Sequence, residues 1–472
     1  MPSNDNTNVE FGVFLPVGNG GWITSTTSPQ LPATYDYNKQ VAILAEDLGF
    51  DFALSMAKWR GYGGPSQHWD VTLESLTTMA GIAEATRRIG VWGTVHTMVF
   101  HPAVVAKMSA VLDQISKGRF GLNIVSGSNP TDQGQMGLWV DLDHTERYEL
   151  AEEWLTVLKR LWTEDRVDHK GKHYELTDCM SNPKPVTPPP IICAGASDRG
   201  FLFTMQHCTG SFMLGSDHDD FIKTGLRAKE LAVQQGKPDF KTYGLFTIVP
   251  GATDAEARER VALYDAGVDT IALDNQTREY SGDKSFKQNT MAQRFVSQGE
   301  QRNSMTRAAL VGSPETIGIK LAQIVKGAKL DGVTVIVPDF IDDLRTVGTE
   351  VLEVLEHHGV QTNARAHQKA TRYETRSVQP HRSETAELLQ PRRIAHRSAG
   401  VSDRPGGLGC RGQRGRRRRY RYPGAQDLGK HRPRSGGPGG RPRSGGQAQY
   451  LCPVPRNHSC TAQSPRSVFR RA

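Results

Sequence analysis

Residues 112–127 read LDQISKGRFGLNIVSG, and this stretch decides the fold. Apolar residues recur at helical spacing from 104 to 115, which predicts a helix with one buried stripe. Ser116-Lys117-Gly118 ends that helix, because the glycine suits a left-handed C-terminal position. Phe120–Val125 is short and mostly apolar, which is typical of a buried parallel strand. The strand ends at Ser126-Gly127, where an α/β barrel would keep its chemistry.

The same alternation of strands and helices continues on both sides of this unit. Strand-like runs lie at 11–16, 51–56, 89–94, 191–194, 212–214, 242–249 and 333–337. Helical patterns lie at 37–48, 73–86, 147–162 and 342–357. Loops are expected at 17–34, 57–64 and 95–101, an irregular segment at 128–143, and an excursion at 167–175. This pattern predicts a parallel, barrel-type α/β fold that extends to about residue 358.

The charge of the chain is unevenly distributed. The 472 residues carry a net charge of +8, yet residues 361–472 alone carry +20 and the first 360 residues carry −12. The last segment contains RGQRGRRRRYRY and RPRSGGPGGRPRSGG and has few apolar runs. We therefore expect a barrel domain over residues 1–360 and a disordered, basic, low-complexity tail over 361–472. The tail is either a surface for nucleic acid or membrane, or an accidental extension from a shifted reading frame.

Several classes of protein are disfavoured by what the chain lacks. The N-terminus has no signal-peptide pattern, and no apolar run is long enough for a membrane span. Six scattered cysteines indicate neither a zinc site nor a disulfide framework, so a reducing cytoplasm is the default location. No GxGxxG follows a strand, and P-loop, HExxH and GxSxG motifs are absent. These absences favour an enzyme whose chemistry comes from a bound cofactor.

Six blocks of sequence within residues 9–358 read, in chain order, FALSMAKWRGYGG, LESLTTMAG, LDQISKGRFGLNIVSG, QMGLW, ERYEL and ICAGASDRG. Together they resemble the bacterial-luciferase-like flavin-dependent monooxygenases, and within them the pyrimidine monooxygenases. The resemblance implies a TIM (β/α)8 barrel with insertions. It also implies a two-component oxygenase, in which a separate NAD(P)H-dependent flavin reductase supplies reduced FMN and O2 is the co-substrate. The substrate is then an N-heterocycle, and a homodimer is common among such proteins.

The resemblance also implies which residues bind FMN. They are Ala57, Lys58, Asn123, Asp132, Arg147, Tyr148 and Ser197. Asp132 stands where relatives usually have Glu, so its contact could be shorter or lost. Arg147 and Tyr148 would open a helix, where backbone N–H groups favour a phosphate. Structural alternatives exist, because Arg147 could pair with Glu146 or Glu149 on a solvated helix, and Ser197 could cap a helix.

The substrate pocket is expected next to the central strand. Ser126 and Ser128 are predicted to line it, and His96 is the candidate catalytic side chain. Pyrimidine monooxygenases carry Thr-Gly-Trp where this chain has Ser126-Gly127-Ser128, so a large aromatic wall is missing. A wider pocket favours riboflavin, cleaved to lumichrome and ribose as in the related riboflavin lyase. Opening of a pyrimidine ring such as uracil is the alternative.

Three other functional classes stay open at this point. A deazaflavin-dependent reductase shares the fold of this superfamily, and a flavin-binding protein without catalytic activity would keep the same cofactor residues. A nucleic-acid-binding protein would use the Arg-rich tail, but the acidic net charge of the first 360 residues argues against it.

Overall fold

The computed structural model describes residues 7–127, 130–195, 197–283, 293, 304–305 and 308–364. All of them belong to Met1–Glu384, the first of two units into which the chain divides. Apart from its first four residues, the predicted tail lies outside the described residues, so its predicted disorder stays a prediction.

Twelve strands are described, and eight of them form a closed barrel. In chain order they are β1 Thr7–Phe14, β2 Phe52–Leu54, β3 Gly90–His96, β4 Phe120–Val125, β5 Val167–Lys170, β6 Glu175–Cys179, β7 Ile191–Cys193, β8 Gly210–Met213, β9 Lys241–Pro250, β10 Leu310–Gly312, β11 Gly332–Ile336 and β12 Val360–Thr362. Strands β1, β2, β3, β4, β7, β8, β9 and β11 pair in parallel in that order, and β11 pairs back with β1. The predicted barrel is confirmed.

Helices follow most barrel strands and cover the outside of the ring. They are α1 Tyr35–Asp47, α2 Ser75–Ala85, α3 Pro102–Ser116, α4 Pro130–Gly134, α5 His144–Thr163, α6 Asp198–His207, α7 His218–Gln234, α8 Asp254–Ala266, α9 Thr270–Ser281, α10 Pro314–Ala328, α11 Asp342–Thr346 and α12 Leu352–His357. A π-helical turn, Val347–Val351, joins α11 to α12. None of these helices has the length and apolar content that a membrane span requires.

Aromatic rings fill one end of the barrel. Phe52, Trp92, Phe212 and Tyr243 come from β2, β3, β8 and β9 and lie with ring centroids 4.7–6.5 Å apart. Strands β3 and β9 are not neighbours, so their side chains can meet only through the interior. Each ring belongs to the first three residues of its strand, and the opposite, C-terminal rim is left for a binding site.

The central unit matches its prediction closely, and the differences lie at element ends. Strand β4 has the predicted bounds, but the left-handed cap of α3 begins one residue early, at Lys117 (φ 58°), and continues at Gly118 (φ 85°). The predicted loop 95–101 begins inside β3, which runs to His96. The predicted excursion at 167–175 is an antiparallel hairpin of β5 and β6.

The barrel domain continues past its predicted end at residue 360. Strand β12 spans Val360–Thr362 and pairs in parallel with β1. Ala364 is fully buried and packs against Gly49. A boundary at 360 would therefore cut an element that the first strand needs as a partner.

Candidate active site

The predicted flavin residues gather at the C-terminal ends of neighbouring barrel strands. Ala57 and Lys58 follow β2, His96 ends β3, Asn123 lies in β4 and Ser197 follows β7. Asp132 lies in α4 and Arg147 and Tyr148 lie in α5, both after β4. Ser128 lies outside the described residues, so its role in the substrate pocket stays a prediction.

Asn123 presents a buried acceptor at the rim of the barrel. Its Nδ2 donates to Thr94 Oγ1 at 3.0 Å, and that hydroxyl donates to the Ser55 carbonyl at 2.5 Å. These bonds fix which amide atom faces the neighbouring strand. Among the described residues Asn123 Oδ1 has no hydrogen-bond partner, although it is buried. Such a group normally finds a donor, and a ligand can supply it.

Asp132 presents a second buried acceptor. The carboxylate is completely buried, and its Oδ1 accepts from the Trp59 backbone N–H at 2.9 Å. Its Oδ2 has no partner in the part of the chain that is described. One oxygen of the Asp132 carboxylate can therefore accept a hydrogen bond from a bound molecule.

Lys58 is enclosed by acidic and aromatic groups. Its Nζ lies 3.1 Å from Glu279 Oε1, 3.6 Å from Asp132 Oδ1 and 4.4 Å from the centre of the Tyr62 ring. All three charged side chains are at most 5% exposed. Burial raises the pKa of Glu279, against the opposing effect of the Lys58 ammonium. The Lys58 ammonium, which was expected to contact the flavin ring, is therefore paired with two carboxylates of the protein. The sequence analysis did not identify Glu279 as one of these partners.

Both ring nitrogens of His96 form hydrogen bonds, one with the Ala57 carbonyl and the other with the Gln133 side chain. The Gln133 amide donates to His96 Nδ1 at 2.9 Å, so His96 Nε2 carries the hydrogen and donates to the Ala57 carbonyl at 3.2 Å. Burial lowers the pKa of His96, which keeps the ring neutral. Both ring nitrogens are occupied in this structure, so His96 positions the Ala57 carbonyl, and its catalytic role stays a prediction.

Arg147 lies one turn into its helix rather than at its start. Helix α5 begins at His144 behind a capping box of Asp143 and Glu146, and the Arg147 N–H bonds the Asp143 carbonyl at 3.1 Å. Its backbone is therefore not available to an anion, which corrects the sequence argument. The guanidinium is 2% exposed and pairs with Asp283 at 2.6 and 2.5 Å instead of Glu146 or Glu149.

A small polar cluster joins the ends of β4 and β7. Ser197 caps α6, accepting the Gly200 N–H at 3.1 Å, so the structural alternative for this serine is correct. His144 Nε2 also lies 2.7 Å from Ser197 Oγ. Burial raises the pKa of Tyr148 to about 12, against the opposing effect of the Ser126 and Ser197 hydroxyls. The sequence thus found three members of this cluster and missed His144.

Flavin fits this donor and acceptor set. The buried oxygens of Asn123 and Asp132 can accept from ring N–H or ribityl hydroxyl groups, and Arg147 can receive a phosphate. The missed residues Gln133, Glu279 and Asp283 surround these groups. Lys58 and Glu279 lie 221 residues apart in the chain, and no local pattern joins them.

Comparison with known proteins places the chain in a family. The model of the luciferase-like monooxygenase family matches residues 9–330. Pyrimidine monooxygenase RutA of Enterobacter sp. (strain 638) is 36% identical over 74% of this chain and 96% of its own length. RutA of Acinetobacter baylyi is 35% identical over 73% of this chain and 94% of its own length. A crystal structure of riboflavin lyase (RcaE) with modified FMN and riboflavin superposes with TM-score 0.67 at 21% identity, over 75% of this chain and 92% of that one.

Proposed function

Because the chain belongs to the luciferase-like monooxygenase family, we propose that it uses FMN and O2 to open the ring of a pyrimidine such as uracil. The FMN arrives reduced from a separate NAD(P)H-dependent flavin reductase. When bound, reduced FMN supplies two electrons, so that one oxygen atom of O2 enters the substrate and the other leaves as water. Membership of the family supports flavin-dependent monooxygenase activity. The choice of FMN as cofactor and of a pyrimidine as substrate is our proposal.

The observation that carries the proposal is the pair of buried acceptors on Asn123 and Asp132. Both oxygens lack a protein partner among the described residues, and both lie on elements that follow or form β4 at the barrel rim. A flavin offers an imide N–H and several ribityl hydroxyl donors. Satisfying two buried acceptors removes a penalty of about 1–3 kcal/mol for each, which favours a ligand with donors.

The protein residues would bind, orient and exclude water. Asn123 and Asp132 would orient the flavin, and Arg147 would hold its phosphate. Neutral His96 would fix the Ala57 carbonyl at the rim. Enclosure of the reacting groups protects reactive species from water, which is the contribution expected of a protein whose cofactor does the chemistry.

The order of the two candidate substrates changes from that predicted. The sequence favoured riboflavin because Ser128 replaces an aromatic wall, but Ser128 lies outside the described residues. The relatives that match nearly full length at 35–36% identity are pyrimidine monooxygenases, which supports uracil. Similarity to riboflavin lyase at 21% identity indicates the fold alone.

Product analysis distinguishes the two substrates. The protein is supplied with FMN, a flavin reductase, NADH and O2, and uracil and riboflavin are offered in parallel reactions. We expect loss of uracil with formation of a ring-opened product, and no lumichrome. Lumichrome without uracil turnover would overturn the pyrimidine assignment and restore riboflavin, and Ser128→Trp should then suppress lumichrome formation.

A further inference from the structure

Arg147, the predicted phosphate ligand, forms an ion pair with the Asp283 carboxylate of the same chain. Its Nη1 and Nη2 donate to Asp283 Oδ2 and Oδ1 at 2.6 and 2.5 Å, and Nη1 also donates to the Gly127 carbonyl at 2.9 Å. Both charged side chains are at most 4% exposed. This is the bidentate geometry with which guanidinium groups recognise carboxylate or phosphate.

Asp283 reaches this position from an element outside the barrel strands. It lies two residues after the last residue of α9, whose own Glu279 pairs with Lys58. Thus the C-terminal end of α9 places two carboxylates, four residues apart, on the two cations that the resemblance assigns to the flavin. Of the two, Asp283 meets the cation that would face the phosphate.

We propose that Asp283 occupies the phosphate position of the flavin site and is displaced when FMN binds, so that it sets the affinity for phosphorylated over unphosphorylated flavin. The inference rests on the proposed function, because it requires that a flavin binds here. One face of a guanidinium fork can pair with only one bidentate anion at a time. A phosphate carries more negative charge than a carboxylate and can replace it there.

Removing the Asp283 charge changes the flavin-free protein more than the complex. In Asp283→Asn the buried Arg147 loses the carboxylate of its bidentate pair, and removal of one partner of a buried ion pair is strongly destabilising. FMN restores an anion to Arg147, so the free energy lost in the free protein returns on binding. Riboflavin has no phosphate and gains nothing from this exchange.

A matched control exists on other elements of the fold. Asp343 of α11 accepts two bonds from Arg260 of α8, both at 2.8 Å, and the Asp343 side chain is 8% exposed. Neither helix carries a residue of the candidate site. Asp343→Asn therefore removes a comparable Arg–Asp pair, and its effect should be independent of flavin.

The test is flavin titration of the full-length protein, followed by fluorescence, for wild type, Asp283→Asn and Asp343→Asn. We expect Asp283→Asn to bind FMN on the order of tenfold more tightly than wild type, with riboflavin affinity unchanged. Asp343→Asn should leave both affinities unchanged. If Asp283 instead supports Arg147, Asp283→Asn will weaken FMN binding, and unchanged or weakened binding overturns the inference.

Thermal denaturation gives a second readout if Asp283→Asn is unstable. FMN and inorganic phosphate should raise its Tm by more than they raise that of wild type, and riboflavin should not. Equal shifts in both proteins would contradict the exchange. Failure of the proposed flavin site is distinct, because wild type would then bind neither FMN nor riboflavin, and a wrong substrate assignment would leave both titrations unchanged.

Discussion

At the scale of single residues, the proposed site divides into groups that would contact the flavin ring or ribityl chain and a group that would contact its phosphate. Asn123 and Asp132 offer acceptors with no partner among the described residues, whereas Arg147 is bound to Asp283. The two kinds of contact are separable, because FMN and riboflavin differ only in the phosphate. Replacement of a phosphate-binding residue should therefore weaken FMN binding alone, and replacement of a ring-binding residue should weaken the binding of both flavins.

Replacement of Arg147 should discriminate between the two flavins. We expect Arg147→Ala to weaken FMN binding by about 1.5–3 kcal/mol, the scale of a charge-assisted hydrogen bond. Riboflavin should be affected much less. Fluorescence titration of both flavins checks this, with Tm recorded because Asp283 loses its partner. Equal losses for the two flavins would show that Arg147 does not bind the phosphate.

Replacement of Asn123 should affect both flavins alike. We expect Asn123→Ala to weaken FMN and riboflavin by similar amounts, roughly 1–3 kcal/mol, since the contact would be to the part that they share. The same titration, compared with Arg147→Ala, measures it. A loss confined to FMN would place Asn123 at the phosphate instead.

Sequence and structure agree on which residues gather here but not on their partners. Lys58, Asn123 and Arg147 were found because they lie in local blocks of sequence. Glu279 and Asp283 were missed because Lys58 and Arg147 meet them only across 221 and 136 residues of chain. A buried charge must find its partner in space, and local patterns do not record that distance.

At the scale of elements, helix and strand positions follow from periodicity, whereas their ends depend on tertiary contacts. Strand β4 was predicted to the residue, but α5 begins three residues before the predicted start because Asp143 and Glu146 form a capping box. The π-helical turn Val347–Val351 interrupts a helix that the sequence predicts as continuous. Nothing in the apolar spacing marks that turn.

One side chain ties α1 to the segment that enters β3. Glu46 Oε2 accepts the backbone N–H groups of Arg87, Arg88 and Ile89 at 2.8, 2.6 and 2.9 Å. Burial raises the pKa of Glu46, but these three N–H groups together outweigh it and lower the pKa below its ordinary value. The ionised form is therefore the one that stabilises the fold.

Loss of this charge should reduce stability in a pH-dependent way. A lowered carboxyl pKa contributes stability above the unfolded-state pKa, and that contribution is lost as the pH falls through the folded-state pKa. We expect Glu46→Gln to be less stable than wild type by about 1 kcal/mol at pH 7, with the difference shrinking in acid. Urea denaturation across pH measures it, with Glu230→Gln, at an exposed position of α7, as control. A difference that does not change with pH would contradict the charge argument.

At the scale of the whole molecule, the closed barrel follows from the alternation of strands and helices. The sequence could not show where the domain ends, because β12 is only three residues long and follows a glycine. Strand β12 is buried because it pairs with β1, and the sequence does not show that pairing. The predicted boundary at 360 therefore falls within the last part of the barrel domain.

Truncation tests whether the basic tail matters. We expect a chain that ends at Ala364 to keep the Tm and the turnover of the full chain, because Thr362 and Ala364 are buried and are retained. A chain that ends at His358 lacks β12 and should have a lower Tm. Loss of turnover in a well-folded chain ending at Ala364 would give the tail a function.

We propose that this chain places oxygen from O2 into a pyrimidine with electrons from reduced flavin. The most direct measurement is mass spectrometry of the uracil product formed under 18O2 with FMN, a flavin reductase and NADH. We expect 18O in the ring-opened product, and no product when FMN or O2 is left out. A ring-opened product without 18O, or one formed without flavin, would contradict it.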